Sequence, residues 1–425
     1  MRIVADFHIH SKYAQATSPH CEPDRLSEGA KTKGINVLAT GDFTHPEYFK
    51  ELKQKLKKNE KDGLFPHNGV NFILSVEISC IYGIKTLKTK NIKHNTLRMH
   101  HVVLAPNFDV ASQINDCLDK YGNLRSDGRP ILGITSPVLV EQLMAISKDI
   151  FIIPAHIWTP WFGMLGSSSG VDAVEEAFED QAKHIHALET GLSSDPAMNW
   201  MLSKLDKYTL VSNSDAHSIE KLGREANVFD LEELSYKSLI NSIKTRKGFV
   251  KTYEFYPEEG KYHHDGHRQC NIRLHPNESK KYGNICPACR KPMTIGVLNR
   301  VYQLADRKYG HVPEQGIPFQ HIVPLPTVIS KALNKSETSL VVEQEHSKLI
   351  RYFGNEFAVH EANEEQLRLA TSKEIAGALL KVAKGNIKWV PGYDGVFGDL
   401  VLDDSSRTLR ESEEIKFSKS SKSKK

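Results

Sequence analysis

The stretch DFHIH, residues 6–10, follows a short run of β-forming residues and carries two histidines at alternate positions. Successive side chains of a β-strand point to opposite sides, so His8 and His10 lie on the same side and can reach one bound ion. An ordinary half-buried strand can have the same alternation. We therefore interpret this stretch together with the polar residues that follow the other predicted strands.

The chain up to about residue 250 alternates short β-rich runs with amphipathic helical segments. The β-rich runs are RIVADF, INVLAT, FILSVEI, HHVVLA, IFIIPAHI, HALETG and YTLVSN. Strands that alternate with helices predict an α/β fold in which parallel strands form a barrel or an open sheet. A short Cys- and His-rich segment and then a region of helical patterns follow. The Lys- and Ser-rich residues 411–425 are predicted to be disordered.

Residues with metal-binding side chains occur at or just after several predicted strand ends. In parallel α/β folds these ends converge on one face, where active sites are built. The motifs GDFTHP, VEIS, IPAHIW and SDAH add five candidates to the two histidines: Asp42, Glu77, His156, Asp215 and His217. Because burying unpaired carboxylates and imidazoles is costly, this set predicts two or three bound cations, with Zn, Mn or Fe favoured over Mg. The alternative is that some of these residues are hydrogen-bonded core groups or helix caps.

A second metal site is predicted in the Cys- and His-rich segment. Cys286 and Cys289 form a CPAC knuckle, and HRQC gives His267 and Cys270 the same spacing sixteen residues earlier. Paired knuckles of this kind predict a closed, structural zinc site. His263 and His264 are alternatives to His267 as the fourth ligand. A redox CxxC motif is less favoured, because no thioredoxin-like strand precedes it.

The region between residues 244 and 308 is basic, with fourteen Lys and Arg against six Asp and Glu, whereas the whole chain has a net charge of +4. A basic module with interleaved aromatic residues is typical of phosphate-backbone binding. The candidate phosphate-binding residues are Lys261, Arg268, Arg290, Lys291 and Arg300. For Tyr393 and Phe397, in the loop at residues 389–399, a DNA contact is implied only by the family resemblance described below. The alternatives are a solvated basic face and, for the loop, a structural turn that packs the C-terminal region onto the rest.

Length predicts two or three globular domains, and the clustering of only three of the six cysteines favours a metal site in a reducing compartment over a disulfide framework. The chain has 425 residues, of which 39% are hydrophobic and 25% charged, and no uncharged apolar run approaches the length of a membrane span. The first residues lack the apolar core and cleavage site of a signal peptide. We expect a cytoplasmic protein with no membrane partner.

Residues 1–249 contain six motifs that resemble those of the PHP (polymerase and histidinol phosphatase) metallo-phosphoesterase domain. These motifs are DFHIHSKY, TGDFTHP, SVEIS, MHHVVLAP, PAHIW and NSDAH. The resemblance implies a distorted (β/α)7 barrel with a trinuclear metal centre. The ligands implied by matching positions are His8, His10, Asp42, Glu77, His101, His156, Asp215 and His217, with the adjacent His100 as the alternative to His101. Of these, His8, His10, Glu77, Asp215 and His217 are the expected catalytic residues. The family often has a His where Asp42 stands and a further His or Asp after HxH, where KYAQATS offers no match.

Four further motifs are similar to those of the endonuclease Q family, so that the resemblance covers nearly the whole chain. They are GKYHHDGHRQC, CPACRKPMTIGVLNRVYQLADR, FQHIVPLP and PGYDGVFG. It implies a PHP catalytic domain at residues 1–249, a zinc-binding domain at 250–296 and a helical C-terminal DNA-binding domain at 297–410. The implied activity is DNA repair, by hydrolysis of the phosphodiester 5′ of a deaminated base (hypoxanthine, uracil or xanthine) or an abasic site.

The same resemblance implies cofactors and partners. The cofactors are zinc in the structural site and in the PHP centre, with Mg or Mn as further activating ions. The partners are damaged DNA, single- or double-stranded, and a sliding clamp, although the tail contains no recognisable clamp-binding motif. A DNA repair enzyme in the cytoplasm is expected at the nucleoid.

Two other functions are compatible with parts of the sequence. A PHP-type phosphatase for small phosphate esters explains the metal-binding motifs but not the basic zinc module. A DNA-binding protein with an inactive PHP domain explains the basic module, but the intact HxH and DxH motifs count against it.

Overall fold

The computed structural model of the protein describes residues 1–83 and 96–402. Its strands are β1 (Arg2–Asp6), β2 (Val37–Ala39), β3 (Phe65–His67), β4 (Val70–Gly83), β5 (Thr96–Ala105), β6 (Ile131–Leu132), β7 (Phe151–Pro154), β8 (Ala187–Glu189), β9 (Thr209–Val211), β10 (Ala226–Asp230), β11 (Phe249–Glu254), β12 (Asp265–His267), β13 (Ile272–Leu274), β14 (Phe319–His321), β15 (Lys388–Val390) and β16 (Asp399–Val401). Its α-helices are α1 (Pro23–Lys33), α2 (Pro46–Leu56), α3 (Phe108–Leu118), α4 (Ser136–Ile146), α5 (Val174–Phe178), α6 (Pro196–Asn199), α7 (Tyr236–Thr245), α8 (Pro276–Ser279), α9 (Val297–Leu304), α10 (Leu325–Leu333), α11 (Leu340–Phe353), α12 (Glu356–His360), α13 (Glu364–Ala370) and α14 (Lys373–Ala383). None of the helices in these described ranges is long and apolar enough to cross a membrane.

The largest sheet has β1 in its interior. The strand order is β14-β11-β10-β1-β2-β4-β5-β7, and β3 and β6 also pair with β4. β1, β2 and β4 run parallel, and β8 and β9 form a separate parallel pair. This curled sheet and its helices confirm the predicted α/β fold class.

The direction of several strands differs from the prediction. β4 pairs antiparallel with β5, from Leu74↔Ala105 to Gly83↔Thr96, and β5 pairs antiparallel with β7. β10 is antiparallel to both of its neighbours. Alternating composition predicts which residues form strands and helices, but not the direction in which each strand joins the sheet. The expectation of an all-parallel arrangement is therefore wrong.

The core beneath this sheet fixes the residues that follow β1. Phe7 and Ile9 are buried in the core together with Phe72 and Phe229. Burying each of these side chains contributes about 1.5–3 kcal/mol, so the register of the DFHIH stretch is firmly set. With Phe7 and Ile9 directed into the core, His8 and His10 point to the other side.

The Cys-rich segment has only a small core of its own. β12 and β13 form an antiparallel pair, and the buried apolar cluster beside them consists of Ile272, Cys286 and Met293. A cluster of this size cannot stabilise a domain without additional cross-links, which a bound metal ion would provide.

The C-terminal helices surround a second apolar core, but they are joined to the first region by packing and by backbone pairing. β14 pairs in parallel with β11 at the edge of the large sheet. Val297, Leu298 and Val301 of α9 pack into the first core. Packing is therefore continuous across residues 249 and 296, and the predicted domain boundaries stay predictions.

Candidate active site

Four of the predicted residues meet where β1, β4 and the loop after β9 come together. One nitrogen or oxygen atom from each of His8, His10, Glu77 and Asp215 lies within 4.8 Å of the corresponding atoms of the other three. Backbone pairing brings the two motifs together, since the amide of His10 donates to the carbonyl of Ala216 at 2.9 Å. The HxH and DxH motifs, at opposite ends of the domain in sequence, thus line one site.

Glu77 lies between two groups of histidines. Its Oε2 atom is 3.1 Å from Nε2 of His10 and 3.6 Å from Nε2 of His8. Its Oε1 atom is 2.6 Å from Nδ1 of His100 and 2.9 Å from Nε2 of His156. Glu77, His100 and His156 form a second group of converging atoms. The two oxygens of one carboxylate therefore face two adjacent candidate ion sites.

The chemistry of these residues fits metal binding. His8 Nε2, His10 Nε2 and Asp215 Oδ1 are buried and make no hydrogen bond of good geometry with any of the residues that the structure describes. Buried polar atoms are normally satisfied, so orphan atoms that converge on one point require another partner. Imidazole nitrogens and carboxylate oxygens suit Zn, Mn or Fe.

Two carboxylates contact the histidines on the side away from this meeting point. Both oxygens of Glu189 lie 3.1 Å from Nδ1 of His8, and Oδ1 of Asp42 lies 3.1 Å from Nδ1 of His10. A carboxylate behind a ligating imidazole fixes its tautomer and orientation. Glu189 lies within the predicted strand HALETG, at the end of β8, and this strand-end position was the only sequence signal for its role.

Asp42 has a different place from the one predicted. Its Oδ2 atom accepts hydrogen bonds from the amide and hydroxyl of Ser11, at 2.6 and 2.7 Å. Gly41, at φ +67°, makes this position possible, because a Cβ there would lie 2.6 Å from the carbonyl oxygen of Ile9. Asp42 therefore positions His10, and the expectation that it is a metal ligand is corrected.

His100, rather than His101, faces Glu77. Residues 100 and 101 are paired with Ser79 and Ile78 across the β4–β5 ladder, so His100 shares a face of the sheet with Glu77 and His101 points to the other face. There, Nε2 of His101 lies 2.8 Å from Oγ of Ser136. The expectation that His101 is a ligand is corrected for this geometric reason.

His156 and His217 complete the surroundings of the site. The His156 amide donates to Oε2 of Glu189 at 2.7 Å, which places its ring beside Glu77. Nδ1 of His217 donates to the carbonyl of Asp215 at 2.9 Å, and the His217 ring centroid lies 4.4 Å from that of His10. His217 is thus adjacent to the converging atoms but outside both groups, and its role as a ligand stays a prediction.

Burial and opposite charges compete at the site. Burial lowers the pKa of His8, but the nearby carboxylates of Glu189, Glu77 and Asp215 outweigh it and raise that pKa well above its usual value. For His100 burial dominates, and it lowers the pKa to about 4 despite the neighbouring Glu77. The neutral form of His100 has the lone pair that a metal ligand requires.

Arg129, which sequence analysis did not single out, also reaches the site. Its Nη1 atom donates to Oε2 of Glu77 at 3.2 Å, and its side chain is 29% exposed. The residue lies in the SDGRP loop before β6, where no strand end or motif indicated an active-site role.

The predicted zinc ligands are also close together. Atoms of His267, Cys270, Cys286 and Cys289 lie within 4.8 Å of one another, with 3.5 Å between Sγ of Cys289 and Nδ1 of His267. His263 and His264 lie outside this group, and the His264 ring instead packs near His275, with 5.5 Å between centroids. Three thiols and one imidazole match the donor set of a closed tetrahedral site.

Solved structures with a similar architecture are known for nearly the whole length of this chain. A family model described as PHP-associated (PHP_C) matches residues 206–247, which include the SDAH motif. The lesion-specific endonuclease PfuEndoQ from Pyrococcus furiosus has a TM-score of 0.84 and 28% identity, over 98% of this chain and 99% of that one. Endonuclease Q in complex with a 27-mer duplex substrate with an abasic lesion at the active site gives the same TM-score and identity, over 97% and 100% of the two chains. This chain is similar to endonuclease Q over nearly its whole length.

Two curated relatives are named as uncharacterized proteins. The uncharacterized protein YqxK of Bacillus subtilis (strain 168) is 27% identical over 424 residues, 94% of this chain and 99% of that protein. The uncharacterized protein MJ0043 of Methanocaldococcus jannaschii is 30% identical over 253 residues, 58% of this chain. The match spans only 31% of the length of MJ0043. The full-length likeness to endonuclease Q is therefore the more informative comparison.

The structure separates the basic residues of this endonuclease Q-like chain into two kinds. Lys261, Arg268, Arg290 and Lys291 are exposed. Arg300 is only 5% exposed, and its guanidinium donates to the carbonyls of Leu165 and Val171 at 2.9 and 3.0 Å and pairs with Asp172. The expectation that Arg300 contacts DNA is corrected, because its donors hold the loop after His156.

The PGYDGVFG loop is held against the zinc-binding segment by hydrogen bonds. Tyr393 is buried, and its hydroxyl donates to Oδ1 of Asn271 at 2.8 Å. Asp394 accepts hydrogen bonds from the Arg268 amide and from the Thr294 hydroxyl, both at 2.6 Å. Tyr393 therefore packs the loop onto the zinc-binding segment, and the expectation that it contacts DNA is corrected.

Three exposed or half-exposed aromatic residues, Trp161, Tyr262 and Phe397, form what we call the aromatic strip. The rings of Trp161 and Tyr262 meet edge-on with 5.5 Å between centroids, and Lys261 Nζ lies 4.5 Å from the centroid of Phe397. Trp161 adjoins Phe162, whose ring centroid lies 4.5 Å from that of His100. Trp161, in contact with Tyr262, thus lies next to a residue that contacts His100, and Phe397 lies beside Lys261, the neighbour of Tyr262 in sequence.

Proposed function

We propose that this protein is a metal-dependent DNA repair endonuclease that hydrolyses the phosphodiester on the 5′ side of a deaminated base or an abasic site. The observation that carries the proposal is the position of Glu77, whose two oxygens face separate groups of metal-binding side chains. Two adjacent divalent ions suit in-line hydrolysis at phosphorus, because they can stabilise both the attacking and the leaving oxygen. The full-length similarity to a lesion-specific endonuclease supports DNA as the substrate.

The metal-binding roles follow from the two groups of atoms. His8, His10 and Asp215 would hold one ion and His100 and His156 another, with Glu77 shared between them. Ions bound there would activate a water molecule and stabilise the leaving oxygen, giving 3′-OH and 5′-phosphate ends. Glu189 and Asp42 keep the imidazoles of His8 and His10 in place. Zinc suits these donors, and Mg or Mn are the other ions to be tested.

The substrate-binding roles belong to the surface beside the site. Lys261, Arg268, Arg290 and Lys291 would neutralise backbone phosphates, a contact that requires exposed cations. An enzyme that recognises a damaged base must inspect it outside the base stack, and exposed aromatic rings support an unstacked base. The aromatic strip is suited to this task, since Trp161 is 39% and Phe397 59% exposed. A zinc ion held by His267 and the three thiols would stabilise the segment that carries Lys261 and Tyr262.

A cleavage experiment tests the proposal directly. The protein is incubated with Mg, Mn or Zn and with labelled duplexes that differ only by one uracil, hypoxanthine, xanthine or abasic site. We expect cleavage 5′ of the lesion alone, complete loss of cleavage in His10→Ala and Asp215→Asn, and nearly unchanged DNA affinity of both variants. Their affinity should be unchanged because the exposed cations that neutralise the backbone are intact.

Each other outcome favours a different function. Equal cleavage of damaged and undamaged duplexes would eliminate lesion specificity. Turnover of small phosphate esters without DNA cleavage would identify a phosphatase, and DNA binding without any bound divalent ion would identify an inactive PHP domain. Association with a sliding clamp and with the nucleoid stay predictions, and the predicted disordered tail lies outside the described residues.

A further inference from the structure

Hydrogen bonds of the loop at residues 127–130 hold Arg129 at the site. Oδ1 of Asp127 accepts hydrogen bonds from the amides of Gln15 and Arg129, at 3.2 and 3.1 Å. The Gly128 amide donates to the carbonyl of Tyr13 at 3.0 Å, and the carbonyl of Pro130 accepts from the Ser79 amide at 3.0 Å. The loop is thus fixed both to the residues that follow HxH and to β4, the strand that carries Glu77. The guanidinium group is presented to the site from a rigid support.

The guanidinium itself is only partly used. Among the described residues its single hydrogen bond is the one from Nη1 to Oε2 of Glu77, at 3.2 Å. A guanidinium has five N–H donors in a planar fork. The side chain is 29% exposed, and the remaining donors have no hydrogen-bond partner among the described residues.

Two structural arginines show a different pattern. Arg300 donates to the carbonyls of Leu165 and Val171, and Arg224 donates from Nε and Nη2 to the carbonyls of Ser214 and Asp215 at 2.9 and 3.3 Å. Both bind backbone oxygens with several donors, as residues that hold loops do. Arg129 instead reaches a carboxylate that the converging imidazoles already surround, and it keeps most of its donors free of backbone partners.

From this arrangement, and resting on the proposed function, we infer that Arg129 is a further catalytic residue that binds the nonbridging oxygens of the scissile phosphate. Its planar fork matches two phosphate oxygens and provides charge-assisted hydrogen bonds. In the reaction the water oxygen bonds to phosphorus while the bond from phosphorus to O3′ breaks. The water loses one proton and O3′ gains one, whereas Arg129 stays protonated and stabilises the negative charge on the nonbridging oxygens.

The activity test compares two arginines of one loop region. Single-turnover cleavage of a duplex with one abasic site is measured for the wild type, Arg129→Gln, Arg129→Lys and the control Arg125→Gln. Arg125 is exposed and pairs with Asp119, at 3.0 Å, away from Glu77. We expect Arg129→Gln to slow cleavage about 10²- to 10³-fold, Arg129→Lys to slow it less, and Arg125→Gln to match the wild type. A fourth variant, Arg129→Ala, leaves space for a free guanidinium ion, and added guanidinium should partly restore its cleavage, which a merely structural loss would not allow.

A second readout does not depend on turnover. Binding of inorganic phosphate to the metal-loaded protein is measured by calorimetry, and bound metal by mass spectrometry. We expect Arg129→Gln to weaken phosphate binding about 10- to 100-fold, the effect of losing hydrogen bonds to a charged group, while the metal content is unchanged.

The results separate this inference from the proposed function. A wild-type cleavage rate in Arg129→Gln, or a loss that excess metal ion restores, would overturn the role of Arg129 and leave it as a partner of Glu77 only. If the wild type cleaves no DNA, the proposed endonuclease function fails, and the phosphate measurement still decides whether Arg129 binds phosphate.

Discussion

Lys33 of α1 and Glu356 of α12 form a buried ion pair, with 2.6 Å between Nζ and Oε2. The pair joins the N-terminal region to the C-terminal helices. Glu356 also accepts a hydrogen bond from the amide of Leu325, at 2.9 Å, and its pKa is held well below the usual range: burial opposes ionisation, but Lys33, His346 and His360 outweigh it. Removing one member of such a pair leaves a buried charge without its partner, and that loss is more costly than the net contribution of the pair.

Lys33→Met should therefore destabilise the protein by about 3–5 kcal/mol. The measurement is urea denaturation followed by far-UV circular dichroism. The exposed Lys31→Met in the same helix is the control and should change the free energy of unfolding by about 0.5 kcal/mol or less. Equal stability of the two variants would show that the buried pair does not hold the two regions together.

Glu361 should make stability depend on pH in the acidic range. Although burial alone would raise its pKa, hydrogen bonds with Arg2, Tyr253 and Lys251 lower it to about 2. Because an unfolded-state Glu has a pKa of about 4.3, the stabilisation by ionised Glu361 is fully present above that pH and is lost as the pH falls toward 2. Glu361→Gln should thus destabilise the protein at pH 7 and do so progressively less below pH 4. Denaturation curves at several pH values would contradict this if the difference were independent of pH.

His100→Gln should reduce divalent-metal content and lesion cleavage, whereas His101→Gln should leave metal content unchanged. The reason is that adjacent residues of β5 point to opposite faces, and only His100 faces Glu77. Mass spectrometry of the purified, metal-saturated variants measures the content. Loss of metal in His101→Gln alone would show that the register of the β4–β5 ladder is shifted.

Lys261→Ala should weaken DNA binding and lower the salt dependence of the binding constant by about one counterion. Arg300→Ala should not change the salt dependence, because its guanidinium is occupied by backbone carbonyls and Asp172. Fluorescence anisotropy with a labelled duplex at several salt concentrations provides the comparison. A reduced slope for Arg300→Ala would return this residue to the DNA contacts.

The sequence predicted well those features that depend on local spacing. HxH and the paired knuckles each give a group of converging side chains, whereas of the DxH motif only Asp215 joins such a group. The alternation of strands and helices likewise gave the fold class. These signals are local and need no knowledge of strand pairing.

The features that sequence analysis missed depend on long-range geometry. The choice between His100 and His101 rests on register across β4 and β5, and a shift of one residue reverses the face. Asp42 and Glu189 have the same side chains as ligands, but they approach the histidines from behind. Arg300 and Lys261 belong to one basic segment, and only the folded chain shows that the first is buried.

Two contacts limit how short a folded fragment of this protein can be. β14 pairs in parallel with β11, and Arg300 donates a hydrogen bond to the loop after His156. A fragment that stops at residue 249 would contain every PHP motif, yet it would expose an unprotected sheet edge and leave the carbonyls of Leu165 and Val171 without their donors. A minimal fragment for expression would have to continue at least through His321.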